Sequence, residues 1–269
     1  MIKFILLSTQ RSGTYLFNSV FNSHPDIHIY DEGYFNEWDY SPQQKHHFYN
    51  YWLKRIAKDP NQITNRQMLQ ASCDFIQEHY NSKNHLDAVG WDIKYDFWEG
   101  YNFVARSFLA IKPKVIHLIR QNTLKLFISL FFVRCNDNNI KKGAFSHPIF
   151  SPLRRENDRQ VSFILNKNLI NSLLHFENRR DYFVEMSKAN FETLEISYER
   201  LVGVEEKEVD TFDKNILRTI YKFLEIKRVD FDVSTNMKKI NSPNLKDIIT
   251  NFDQTFEYLK TAKLGRYFV

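Results

Sequence analysis

The first fourteen residues, MIKFILLSTQRSGT, constrain this chain more than any other stretch. Residues 2–7 (IKFILL) form a short, nearly unbroken apolar run, the pattern of a strand buried on both faces of a parallel sheet. The run breaks into the polar loop STQRSGT with its one glycine. Leu16, Phe17, Val20 and Phe21 then recur at helical spacing. A strand, a tight polar loop and a helix start bring free backbone N–H groups and the helix dipole together on an anion. Arg11, Ser12 and Thr14 add side-chain donors, so the segment reads as a phosphate cradle. A nucleotide-hydrolysing or kinase P-loop has the form G-x-x-x-x-G-K-[ST]. Here no lysine follows Gly13 and no glycine stands five positions before it, which disfavours an ATP or GTP site.

A second signal lies in KVIHLIRQNTLKLFISLFF. Val115–Ile119 is another apolar strand, with Arg120 at its carboxyl end, the edge at which open parallel sheets bind ligands. Leu124 to Val133 is apolar almost all round, which predicts a buried helix, yet it carries one hydroxyl, Ser129. Arginine suits a phosphate because its planar fork can grip two oxygens at once.

Composition bounds the alternatives. A chain of 269 residues can bury a substantial core, and 43% hydrophobic with 26% charged residues is a globular balance. With 7 Gly and 7 Pro there are few candidate linkers and no composition break, so one domain over 1–269 is expected. The formal charge of +5 suits a polyanionic small ligand and also nucleic acid. Lysine and arginine, however, never run beyond pairs, which read as solvated helix faces. Cys73 and Cys135 have neither metal-ligand nor redox spacing. The opening apolar run is too short for a signal segment, and no stretch is long enough to span a bilayer. These features predict a cytoplasmic protein.

Elsewhere, HIY leads to Asp31, Glu32 and Glu37, where Asp31-Glu32-Gly33 reads as a turn. Residues 41–82 read as two polar helices separated by Pro60, with His46, His47, His79 and His85 on the surface and no metal among them. LDAVGWDIKY reads as a strand whose Asp92 and Lys94 share a face. Residues 136–160 look like loop, and Val161, Ile164, Leu165, Leu169, Leu173 and Phe176 make a stripe of helical period.

The string QRSGT before an apolar helix resembles the 5′-phosphosulfate loop of sulfotransferases that use 3′-phosphoadenosine 5′-phosphosulfate (PAPS). The spacing R-x8-S in LIRQNTLKLFISL resembles that family's 3′-phosphate motif, and the two occur in family order. As in bacterial-type members, HPDI leads to a glutamate, here Glu32, eight positions after His24. GWDIKY resembles the family strand G-[FW]-K-[LIM]-x-[YW], but Asp92 stands where lysine is usual and Lys94 comes two positions later. Lys94 serving the same space and an Asp92–Lys94 surface pair are the two readings. TLEISYERLV resembles a further family strand and turn, with Tyr198 either an adenine neighbour or a packing residue. NSPNLKDIITNFDQTFEYLKTAKLGRYF resembles the closing helix.

The resemblance implies an α/β fold, a mostly parallel β-sheet flanked by helices and related to P-loop nucleoside triphosphate hydrolases. It implies transfer of a sulfuryl group from PAPS to a hydroxyl or amine, with adenosine 3′,5′-bisphosphate as product and no metal. Glu32 would be the base, and Arg11 would stabilise charge on the bridging oxygen. Ser12, Gly13, Thr14 and Tyr15 would hold the 5′-phosphate, Arg120 and Ser129 the 3′-phosphate. The partner expected is a small-molecule acceptor, a sugar or a secondary metabolite, rather than nucleic acid or membrane. Oligomeric state stays open, a homodimer included. A small-molecule kinase of P-loop type is the alternative, and a non-catalytic nucleic-acid module a more remote one.

Overall fold

The computed structural model describes residues 1–35, 47–136, 150–151, 160–202, 212–229 and 244–268. Contacts group these residues into two compact units. One holds the described residues up to 119 together with 183–202 and 212–229; the other holds those of 120–182 and 244–268.

The first unit is built on a five-stranded sheet in which every pairing is parallel. The strand β1 (Ile2–Ser8) is central, between β3 (Ala88–Lys94) and β4 (Lys114–Ile119). Outside β3 lies β2 (Ile27–Tyr30), and outside β4 lies β7 (Thr193–Ser197). Phe4, Ile5, Leu6 and Leu7 have no accessible surface, as a central strand covered on both faces requires. Full burial of each such side chain contributes about 1.5–3 kcal/mol, which locks the register. The apolar runs at 2–7 and 115–119, the strand at 88–94 and the extended segment before Asp31 all form as their patterns predict.

On one face Ile5, Leu7, Val89, Trp91 and Ile93 join Phe75 and Ile76 of α3 (Asn65–Ser82) and Val104 and Phe108 of α5 (Asn102–Ile111) in one core. On the helix α1 (Thr14–Asn22), Phe17 stacks on Phe21 at 4.2 Å between ring centroids. Phe21 in turn meets the Tyr221 ring of α9 (Lys214–Phe223) edge-on at 6.2 Å. Gly90 makes room for this packing: a Cβ there would lie 2.3 Å from the Phe4 ring.

From β1 the chain goes through α1 to β2 on one side of the sheet. It returns through α2 (Phe48–Lys58) and α3 to β3, then passes α4 (Tyr95–Gly100) and α5 to reach β4 on the other side. The strand order therefore reverses at β1 and β4, and open sheets bind ligands outside the carboxyl ends at such a point.

The second unit packs Leu124, Phe127 and Ile128 of α6 (Thr123–Asn136) with Leu169 and Leu173 of α7 (Lys167–Asn190). Leu245 and Ile248 of α10 (Leu245–Ile248) and Leu259 of α11 (Phe252–Thr261) complete that core. The short strands β5 (Phe150–Ser151) and β6 (Ser162–Phe163) pair antiparallel. Asn251 stands in for a strand partner, accepting from Phe163 N at 3.0 Å and donating to Phe163 O at 2.9 Å.

Three expectations are corrected. The helical stripe from Val161 does not start there, because Val161 bridges Ile249 and β6 follows; only Leu169, Leu173 and Phe176 ride on α7. The closing helix is two, α10 and α11, broken where Ile248 O accepts from Val161 N and Thr250 N donates to Val161 O. His47 is buried, not on the surface, and its Nδ1 accepts from Tyr49 N at 3.1 Å to cap α2. Its neighbour His46 and most of the expected 136–160 loop lie outside the described residues.

Candidate functional site

The loop between β1 and α1 turns sharply because two residues adopt the left-handed conformation, Arg11 at φ 64° and Gly13 at φ 88°. Glycine is needed at 13 for a second reason: a Cβ would lie 2.3 Å from Cδ2 and Cε2 of Tyr198, whose ring lies against this turn. Gly13 caps α1 without any side-chain hydrogen bond, and the first turn carries no acidic residue. The helix N-terminus is thus left to an anion. Ser8 and Ser12 reinforce this: both hydroxyl oxygens are buried without a hydrogen-bond partner. Buried polar atoms are seldom left so, and two such hydroxyls between the end of β1 and the start of α1 suit a group rich in acceptor oxygens. Tyr15, the second residue of α1, is 59% exposed.

Next to the loop, the carboxyl end of β3 carries a buried charge cluster. Lys94 and Asp92 are 2% and 3% exposed, so the pair exists but is not a surface pair. Lys94 Nζ donates to Asp92 Oδ1 at 2.5 Å and to Thr14 Oγ1 at 2.7 Å. It lies 3.4 Å from Glu32 Oε2. Asp92 Oδ2 accepts from Asn18 Nδ2 at 2.9 Å, and Asn18 sits one turn along α1 from Thr14. Lys94 therefore reaches the first residue of the helix that the cradle opens.

Glu32 begins a 3₁₀ turn, Glu32–Tyr34, directly after β2. Asp31 fixes that turn by accepting from Gly33 N at 2.9 Å. Burial pushes the Glu32 carboxyl above the usual glutamate range; Lys94 pulls it down, while Asp92 and Asp31 push it further up. A desolvated carboxylate of raised basicity beside a fixed cation is the chemistry of a general base. The turn expected at 31–33 and a reactive carboxylate are thus compatible. His24, by contrast, is a fastener: Nδ1 accepts from Asp26 N at 3.1 Å, so Nε2 carries the proton that it gives to Arg228 O at 2.9 Å.

Arg11, Ser12, Gly13, Thr14, Glu32, Lys94 and Tyr198 are thereby gathered at the carboxyl ends of β1, β2, β3 and β7. Arg120 is the residue immediately after β4, and Ser129 is buried in α6; both belong to the second unit. Sequence reasoning missed Asn18, although its spacing of four from Thr14 puts both on one helix face. Near the site, Phe35, Phe97 and Trp98 belong to the core, Tyr34 packs against it, and Trp38 lies outside the described residues. Among the described residues, no group of three or more His, Cys, Asp or Glu could hold a metal ion. No helix among them is long and apolar enough to cross a membrane.

The chain matches no family model and no curated protein. Among solved structures it is similar to the "Crystal Structure of Sulfotransferase from Alicyclobacillus acidocaldarius" at 14% identity. That likeness covers 99% of this chain and 95% of the other, with a TM-score of 0.46.

Proposed function

We propose that the protein is a PAPS-dependent sulfotransferase acting on a hydroxyl or amine of a small molecule. The observation that carries this reading is the meeting of an uncapped helix N-terminus, with two orphaned buried hydroxyls, and an ion pair of the buried Lys94 with the half-buried Glu32. Bound PAPS supplies a sulfuryl group whose bond to the 5′-phosphate oxygen breaks as a new bond to the acceptor forms. The residues present fit such a donor. The backbone N–H groups of residues 12–15 and the hydroxyls of Ser8 and Ser12 hold the 5′-phosphate, and Arg11 bears on the oxygen that gains charge. Glu32 Oε2 takes the proton from the acceptor, which raises its nucleophilicity at the moment of attack. Lys94 holds positive charge between the carboxylate and the cradle, where low dielectric strengthens it. Arg120 and Ser129 are proposed to hold the 3′-phosphate and so to favour PAPS over ATP, with Tyr198 beside the adenine.

One feature speaks against the kinase alternative. Thr14 stands where a P-loop carries its lysine and accepts from Lys94 through its hydroxyl, and the next position, where the magnesium-binding Ser or Thr would stand, is Tyr15. The test is a thermal-shift titration with adenosine 3′,5′-bisphosphate beside Mg·ATP. Bisphosphate at a hundred times its dissociation constant adds about 2.7 kcal/mol, which at about 2–4 °C per kcal/mol raises the melting point by about 5–11 °C. Arg120→Ala weakens that binding by about 1.5–3 kcal/mol, a charged hydrogen bond's worth. A shift with Mg·ATP alone refutes the reading, and an unchanged affinity in Arg120→Ala refutes the 3′-phosphate assignment.

A further inference from the structure

Asp92 occupies a position with no role in the transfer as described, yet it is one of the most thoroughly engaged side chains of the first unit. Both its oxygens are used, one by Lys94 Nζ at 2.5 Å and the other by Asn18 Nδ2 at 2.9 Å. With Thr14 Oγ1 accepting from the same ammonium at 2.7 Å, the contacts close a ring: Asp92 to Asn18, along one turn of α1 to Thr14, and back through Lys94 to β3. An ammonium has three N–H donors. Asp92 and Thr14 take two, and Glu32 Oε2 lies 3.4 Å away, close enough for an ion pair but without a hydrogen bond.

We infer that Asp92 is a positioning residue, which holds the Lys94 ammonium between Thr14 and Glu32 so that the cation serves the cradle without seizing the Glu32 carboxylate. This inference rests on the reading of Glu32 as the base. A buried cation needs a counter-charge. If Asp92 did not supply it, Glu32 would be the one carboxylate left in contact with Lys94, and the tightened pair would leave Glu32 a weaker base. The charged groups facing Glu32 are Lys94 and Asp92 from β3 and Asp31 from its own segment, and neutralising Asp92 removes one of the two that repel its charge.

Asp92→Asn isolates this role from mere packing. It keeps the shape, and its new amide can donate to Asn18 Oδ1, which is buried with no partner in the native protein. The experiment follows the Glu32 side-chain carboxyl by carbon-13 NMR across pH in the ligand-free full chain, with Glu32→Gln assigning the signal. Sulfuryl transfer from PAPS and bisphosphate affinity are measured alongside. The expected result is a Glu32 titration midpoint moved to lower pH, turnover lowered about tenfold or more at neutral pH, and bisphosphate affinity changed by less than about threefold. A midpoint that stays in place or rises overturns the inference, whatever happens to the melting temperature.

Asn18→Ala supplies a second reading should Asp92→Asn fail to fold. It removes one anchor of Asp92 and no charge, so turnover falls several-fold while bisphosphate affinity holds; unchanged turnover overturns the inference. If the native protein does not bind the bisphosphate, the donor assignment fails, and the ligand-free titration still decides the role of Asp92.

Discussion

Gly13→Ala probes the cradle through geometry alone. The residue sits at φ 88°, where an L side chain loses about 1–2 kcal/mol against the following carbonyl. Its new methyl would lie 2.3 Å from Cδ2 and Cε2 of Tyr198, far inside contact distance, so the ring or the loop must move. Over-filling a packed site of this kind costs about 1–3 kcal/mol. The sum is about 2–5 kcal/mol, which for a chain of this size lowers the melting point by about 4–20 °C. Calorimetry on Gly13→Ala, Tyr198→Ala and the double variant separates the two contributions. Removing the ring relieves the clash and leaves the backbone term, so the pair should show a favourable coupling of about 1–3 kcal/mol. Additivity within about 0.5 kcal/mol would mean that Tyr198 does not confine the turn, and the close approach would have been misjudged.

Glu32→Gln should lower turnover by about a hundredfold or more, the usual contribution of a general base, with bisphosphate affinity retained; equal loss of both would remove Glu32 from that role. Because burial raises the Glu32 carboxyl in the folded state, the native protein holds that proton to higher pH than the unfolded chain does. Its ionisation therefore subtracts stability as pH climbs through that interval. The melting point of Glu32→Gln relative to wild type should accordingly increase from acid to neutral pH, and turnover of the wild type should rise over the same interval. A flat melting-point difference would contradict the burial of Glu32. Lys94→Met should destabilise by about 3–5 kcal/mol, since it leaves the buried Asp92 beside the half-buried Glu32 without their cation. Chemical denaturation would show it, and a loss below about 1 kcal/mol would mean that water reaches the cluster.

Local physics made much of this protein legible in its sequence. A short unbroken apolar run suits a strand covered on both faces, as in a parallel sheet, so residues 2–7 and 115–119 announced their strands. Three residues of the loop, Arg11, Ser12 and Gly13, announced a tight polar turn into a helix, whose first N–H groups have no partner within the helix. Asp31 and Glu32 followed from their place after a short strand. Patterning failed where the partner was distant. Val161 looks helical in its own window, but a bridge to Ile249, 88 positions away, decides its conformation. His47 looked like a surface residue until its imidazole was seen capping α2.

Only the tertiary structure could decide the character of the Lys94 cluster. The two-residue spacing of Asp92 and Lys94 puts them on one face of a strand, which fits a solvated pair as well as a buried one. That face is covered by α1, and the sheet brings Glu32, 60 residues earlier than Asp92, to the same edge. Electrostatic strength depends on the dielectric around charges, and burial is a property of the assembled layers rather than of any segment. The sequence by itself determined the polar turn before α1 and set Glu32 just after a short strand. Packing of α1 on β3 determined that the cation would be dry, held by Asp92 and Thr14, with Glu32 in ion-pair reach.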